Sequence, residues 1–98
     1  MNEFRIVSSQ ELNKQFGDLC AQAKSERRGM FALGIAEAVM ETLRRDPLEA
    51  GEPLYVLKHL ELQMRIVLRF PWSIHFAVDE KRRIVYLTRI ELLSFLSE

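Results

Sequence analysis

The sequence contains little cysteine and no site for a tightly bound metal. Cys20 is the single cysteine among 98 residues, so no internal disulfide can form. No group of cysteine and histidine residues has the spacing of a zinc site, and we expect neither a metal nor a cofactor. These absences suit a reducing compartment, and we predict a cytoplasmic protein. Cys20 itself is typical of a small buried side chain on a helix.

The sequence also has no surplus of charge. Lysine and arginine number 14, and aspartate and glutamate number 14. A neutral chain has no overall positive field, so any surface for nucleic acid must be a local patch. No run approaches the roughly 20 apolar residues that a membrane span requires, and the start Met1-Asn2-Glu3-Phe4 lacks the basic residues of a signal peptide. We therefore expect no membrane association.

Glycine is sparse, and its positions exclude several enzyme classes. The four glycines lie far apart, and no phosphate-binding loop, dinucleotide-binding fingerprint or nucleophile elbow is present. Nucleotide hydrolysis and serine-hydrolase chemistry are thereby excluded. No pair of acidic residues is placed to share a cleft, which leaves glycosidase chemistry without support.

The remaining composition is that of one small folded domain. Hydrophobic residues make up 48% of the chain and charged residues 29%, which is ordinary for a packed globular protein. A chain of this length has room for one core, so we predict a single domain over residues 1–98.

Two helices are predicted after a short strand over Phe4–Ser8. Ser8 and Glu11 have the spacing of a helix-capping box, and an apolar stripe follows at Leu12, Phe16, Leu19 and Ala23. Ser25 is the predicted cap of the second helix, which Asp46-Pro47 ends. Its predicted core face consists of Phe31, Ile35, Ala38, Val39 and Thr42, widened by Met30, Leu33 and Leu43.

Beyond Gly51-Glu52-Pro53 the hydrophobic period changes to two, which predicts strands. In the clearest of them one face is apolar and is expected in the core: Leu62, Met64, Ile66, Leu68 and Phe70. A strand from Trp72 to Val78 and a turn at Asp79-Glu80-Lys81-Arg82 follow. The last strand is predicted over 83–88. We therefore predict an α+β fold of order β-α-α-β-β-β(-β), with the N-terminal strand and the helix hairpin packed on an antiparallel sheet.

One group of polar residues has side chains suited to catalysis or to binding RNA. If Val78 pairs with Arg83 across the turn, His75 lies opposite Tyr86. If Arg69 likewise pairs with Ser73 around a three-residue loop, Arg65 and Arg69 lie on the same face. Two guanidiniums, an imidazole and a phenol could hold an RNA backbone or cut it. The alternative is an ordinary solvated sheet face, and a one-residue slip in register would scatter the group.

Lys58 and His59 lie just before the clearest strand. They are candidates to extend the nucleic-acid-binding set of Arg65 and Arg69. The alternative is a polar edge that discourages strand addition.

The whole chain resembles the RelE/ParE family of bacterial toxins. The resemblance rests on the order strand, helix hairpin, antiparallel strands, and on several short runs: Asp46-Pro47, Gly51-Glu52-Pro53, Leu57, Met64-Arg65-Ile66 and Val78-Asp79-Glu80. It implies a toxin of a type II toxin–antitoxin system that inhibits growth through ribosome-bound mRNA or DNA gyrase. It also implies a cognate antitoxin whose amphipathic segment wraps the toxin.

Three functions are left open, of which the third is a nucleic-acid-binding adaptor without toxicity, whose affinity would fall steeply with salt. As a metal-independent endoribonuclease, the chain would use His75, Tyr86 and Arg65 or Arg69 to activate the 2′-hydroxyl, stabilise the phosphate and protonate the leaving oxygen. As a non-catalytic or degenerate binding module, it would need none of these. Ser73 favours the second function, because many family members carry an arginine after an aromatic residue at this position.

The apolar residues at the end of the chain are a further candidate surface. Ile90, Leu92, Leu93 and Leu96 predict a short amphipathic helix or a tail that needs covering. Leu92, Leu93, Phe95 and Leu96 are candidates to dock an antitoxin helix or a second copy of the chain. The alternative is packing against the chain's own sheet.

Overall fold

The helices and strands follow one another in the predicted order. The structure, a computed structural model, describes residues 3–93. Its elements are β1 (Arg5–Val7), α1 (Gln10–Ser25), α2 (Gly29–Arg45), β2 (Glu52–Leu57), β3 (Leu62–Arg69), β4 (Trp72–Asp79) and β5 (Ile84–Leu92). No helix among residues 3–93 is both long enough and apolar enough to cross a membrane.

The five strands form one mixed sheet in the order β1-β5-β4-β3-β2. Strands β2, β3, β4 and β5 are antiparallel to one another, whereas β1 runs parallel to β5. The predicted antiparallel sheet is confirmed for β2 to β5, and β1, predicted to pack on that sheet, joins it as a parallel edge strand. The helix hairpin carries the chain from β1 at one edge of the sheet to β2 at the opposite edge, and β5 later pairs with β1. Both helices pack on one side of the sheet, which we call the inner face; the opposite side is the outer face.

Helix α1 presents the predicted stripe to the core. Leu12 and Ala23 are buried, and Phe16 and Leu19 pack against the core beside them. The helix begins one residue later than predicted, because the cap is Ser9, whose hydroxyl accepts a hydrogen bond from the Leu12 amide at 3.0 Å. A serine at either position fits the sequence pattern, and the backbone path into the helix selects the second.

Helix α2 is rotated from its predicted orientation. Its buried residues are Ala32, Ala36, Val39 and Leu43, while the side chain of Phe31 is 53% exposed. Small side chains face the sheet because Trp72 fills the space below, completely buried, with its ring 5.2 Å from that of Phe16. Ser25 does not cap α2, since it is the last residue of α1. As predicted, α2 ends just before Asp46-Pro47.

The register between β3 and β4 differs by one residue from the predicted register. Arg69 pairs with Trp72 and Leu68 with Ser73, so the loop contains only two residues. This shift exchanges the two faces of β3. Val67, which lies opposite Ile74, and Arg65 now face the helices. The predicted core face of β3 is therefore wrong.

A bulge also changes the end of β5. The pairing shifts between His75 and Phe76, so that Phe76 lies opposite Leu87 and His75 opposite Arg89. The extra residue, Thr88, places Arg89 on the outer face, where a regular strand would have turned it inward. The strand continues to Leu92, which packs against the core, so the predicted terminal helix does not begin at Ile90. Phe95 and Leu96 lie outside the described residues.

Candidate functional site

The most unusual feature of the sheet is the orientation of β3. Its four outer-face residues are all apolar: Leu62, Met64, Ile66 and Leu68. The inner face receives Gln63, Arg65, Val67 and Arg69 instead. An amphipathic strand normally buries its apolar side. Here the apolar side faces away from the helices, and the side chain of Leu68 is 63% exposed.

Neighbouring strands extend this apolar surface. Tyr55 pairs with Met64, and Ala77 lies between Met64 and Tyr86, so two tyrosines flank the centre of the outer face. Tyr55 is 57% exposed. The surface has apolar residues and aromatic rings that combine a flat contact area with a polar tip, which is typical of interfaces between proteins.

Arg65, a predicted catalytic and RNA-binding residue, lies inside the protein. Its side chain is buried, and its Nε donates a hydrogen bond to the Ala50 carbonyl at 3.0 Å. Its Nη1 donates to Gln63 Oε1 at 2.7 Å and its Nη2 to the Gly51 carbonyl at 3.3 Å. Every nitrogen of the guanidinium is thus engaged within the protein. Arg65 holds the loop before β2 against β3, and a bound phosphate would have to replace these contacts.

Gly51 explains why this loop can approach β3 so closely. Its φ of 63° lies in the left-handed region, and a Cβ at this position would stand 2.1 Å from the Ile66 carbonyl oxygen. Only glycine fits without moving the backbone. The close approach brings the carbonyls of Ala50 and Gly51 within reach of the Arg65 guanidinium.

The structure does not bring together the predicted nucleic-acid-binding residues. Arg69 is exposed at the end of β3 on the inner side, whereas Lys58 follows β2 at the opposite end of the hairpin. The length of β3, roughly 24 Å, separates the two positions. Lys58, Arg65 and Arg69 therefore do not form one basic patch.

His75 and Tyr86 do share the outer face, as predicted. The predicted pairing of His75 with Tyr86 is wrong, because Val78 pairs with Val85 and not with Arg83. Tyr86 lies opposite Ala77, and Arg89 lies opposite His75. The Nδ1 atom of His75 is buried and has no hydrogen-bond partner among the described residues. The Nη2 of Arg89 is paired with the Glu91 carboxylate at 2.8 Å.

The predicted grouping of Arg65, Arg69, His75 and Tyr86 on one surface is therefore wrong. The register slip turns both arginines to the inner side, and only the histidine and the tyrosine remain together. Catalytic roles for Arg65, His75 and Tyr86 stay a prediction. Among residues 3–93, Nδ1 of His75 has no carboxylate or carbonyl partner that would orient the ring as a general base, and the guanidinium of Arg89 opposite it is paired with Glu91.

Searches against protein-family models, curated proteins and solved structures found no match. Function must therefore be argued from the geometry of the chain itself.

Neither the apolar cavity beside α1 nor a cluster of metal ligands among residues 3–93 offers an alternative centre. A cavity of about 220 Å³ lies between α1, β1 and β5, with mainly apolar walls that include Leu12, Phe16 and Ile90. None of the predicted site residues lines it. Within residues 3–93, no three side chains of histidine, cysteine, aspartate or glutamate come together to hold a metal ion.

Two features of the candidate surface were not predicted from the sequence. Arg89 reaches the outer face through the bulge, and strand alternation alone places it on the wrong side. The apolar outer face was visible in the sequence as the alternation of β3, but the alternation does not say which side the helices cover.

Proposed function

We propose that this chain is the toxin-like component of a type II toxin–antitoxin pair with a RelE/ParE-like fold, and that it acts by binding a protein. The observation that carries the proposal is the outward orientation of the apolar side of β3. Contiguous apolar surface on a soluble protein marks an interaction site. Of the two targets that the resemblance implies, DNA gyrase suits this surface better than mRNA, because gyrase is a protein.

The charge distribution supports a protein target. Surfaces that bind RNA carry excess positive charge, whereas this chain is neutral as a whole. On the outer face, Glu91 neutralises Arg89. The guanidinium of Arg65 is engaged by backbone carbonyls and by Gln63 on the other side of the sheet. The row of residues that crosses the outer face from Tyr55 through Met64 and Ala77 to Tyr86 is apolar and aromatic, while Ser73, His75 and Asp79 of β4 are the polar residues beside it.

The helices offer a separate surface for the antitoxin. A groove of about 430 Å³ on the helical layer has Phe16, Ala36 and Met40 among its lining residues, with Glu37 and Arg44 beside them. Leu33 in the same groove is 45% exposed. The apolar side of a partner helix fits such a groove, with polar contacts at its edges. In this proposal, target and antitoxin contact opposite layers of the fold.

A degenerate, non-catalytic binding module is the alternative function. It is favoured by the buried position of Arg65 and by Ser73, which is 4% exposed and offers no guanidinium. Such a module would use the same outer face and would not arrest growth.

The decisive experiment is tightly controlled induction of the chain alone in a bacterial host. We expect prompt growth arrest, and we expect Leu68→Lys to relieve it because a charge would enter the apolar contact. Met30→Lys is the matched control, since Met30 is 92% exposed on α2 and far from the outer face. His75→Ala should leave the arrest intact.

Each other result has a definite meaning, provided that circular dichroism shows folded protein. Loss of arrest in His75→Ala and in Tyr86→Phe, together with cleaved mRNA in the wild-type culture, would identify an endoribonuclease and contradict protein binding. Normal growth with folded, soluble wild-type protein would identify the non-catalytic module.

A further inference from the structure

Strand β2 lies at an edge of the sheet. It is the last strand of the sheet order, so one side pairs with β3 and, within residues 3–93, the other has no strand beside it. Three consecutive apolar residues on this edge are exposed, Leu54 at 46%, Tyr55 at 57% and Val56 at 54%. A long apolar edge strand is a template for pairing with another chain, because its unpaired amides and carbonyls are aligned for a new ladder.

Features that normally prevent such pairing are concentrated at the start of β2. Pro53 lacks an amide hydrogen, and the bulge lies between Pro53 and Tyr55. From Tyr55 to Leu57 the strand pairs with β3 without irregularity. This end of β2 contains no proline and no charged residue.

The two ends of the strand carry opposite charges. Glu52 is the first residue of β2, and Lys58 follows its last residue. Both side chains are exposed, and neither forms an ion pair with another described residue. An antiparallel copy of the same strand reverses this order. It would therefore place the acidic end of each copy beside the basic end of the other.

We propose that β2 is a homodimer interface, in which the edge strands of two copies pair antiparallel and join two sheets into one of ten strands. The interface is self-complementary, as twofold symmetry requires. With the axis at Tyr55, Leu54 lies opposite Val56 of the second copy, Pro53 lies opposite Leu57, and the Glu52–Lys58 contact occurs twice. The dimer leaves the helical groove and the β3 part of the outer face free, while Tyr55 belongs both to the outer face and to the paired edge. The inference does not rest on the proposed function.

A charge swap tests the interface directly. Sedimentation equilibrium should show a dimer for the wild-type protein. Glu52→Lys or Lys58→Glu should each weaken self-association by about tenfold, because two attractive contacts per dimer become repulsive. The double variant E52K/K58E should restore the wild-type dissociation constant, since reversing both charges recreates the pair.

The matched control is Glu37→Lys, which makes the same change in net charge at an exposed position on α2. It should not alter self-association. A monomeric wild-type protein would overturn the proposal. So would equal effects of Glu37→Lys and Glu52→Lys on self-association, or a double variant that associates no more tightly than the single variants. Circular dichroism of every variant separates loss of pairing from loss of folding, which these exposed positions should not affect.

Discussion

The indole Nε1 of Trp72 donates a hydrogen bond to the carbonyl oxygen of Ala32, 2.7 Å away, and neither residue is more than 1% exposed. This contact joins the first residue of β4 to helix α2. The side chain of Trp72 also packs against the ring of Phe16 from α1. One residue thus links both helices to the sheet, and its loss should affect the whole domain.

Trp72→Phe should lower the free energy of unfolding by about 2–4 kcal/mol, because it removes a buried hydrogen bond and leaves a space beneath α2. Urea denaturation followed by circular dichroism measures the change. Phe31→Leu, at an exposed aromatic position on α2, is the control and should stay within about 0.5 kcal/mol of wild type. Equal stability of the two variants would contradict a central role for Trp72.

Arg65→Ala should lower the free energy of unfolding by about 2–3 kcal/mol, because the carbonyls of Ala50 and Gly51 lose a charged donor. Arg69→Ala, which removes an exposed guanidinium from the same strand, should change stability by at most about 0.5 kcal/mol. The same urea titration measures both. If the two variants unfold alike, Arg65 does not hold the loop, and its role must be sought in binding.

Gly51→Ala should lower the free energy of unfolding by more than about 2 kcal/mol, because the new Cβ would clash with the Ile66 carbonyl and alanine would be strained in the left-handed backbone conformation. Gly34→Ala provides the opposite control. Gly34 lies within α2 with nothing within 4 Å of a new Cβ, so alanine should stabilise the protein by about 0.5–1 kcal/mol. Thermal unfolding should show a lower melting temperature than wild type for Gly51→Ala and a higher one for Gly34→Ala.

Cys20 should react slowly in the folded protein. Burial raises the pKa of the Cys20 thiol above its ordinary value, because it disfavours the charged thiolate. At a given pH the folded protein therefore holds less thiolate than the unfolded chain. Alkylation followed by mass spectrometry should be slower without urea than with it, and the midpoint of its pH profile should lie higher. Identical profiles would show that Cys20 is not shielded.

Much of the fold could be predicted from local signals. The stripe of α1 from Leu12 to Ala23, the end of α2 at Asp46-Pro47 and the order of elements all depend on nearby residues. The turn after β4 is another example, since the Arg82 amide donates to Asp79 Oδ1 at 3.0 Å. Such features are set by capping, periodicity and turn chemistry, which a sequence displays directly.

The candidate site depended on register, which local signals do not determine. A loop of two residues instead of three turned Arg65 and Arg69 away from His75, and the bulge at Thr88 brought Arg89 toward it. In β3 the apolar side appeared to be the core side. However, burial is decided by what the helices cover, and Trp72, Ile74 and Phe76 of β4 fill that space. A strand with an apolar outer face cannot be recognised until its neighbours are placed.

The pairing of β1 with β5 also has a consequence for synthesis on the ribosome. Arg5 emerges early, but its partner Ile84 is translated about 80 residues later. Until then one edge of the sheet is missing, and helices α1 and α2 lack much of the surface that they cover. The nascent chain must therefore wait for its last strand before it can complete its core. A ribosome that stalls before β5 would release a chain with exposed apolar helices, which is a substrate for chaperones and proteases.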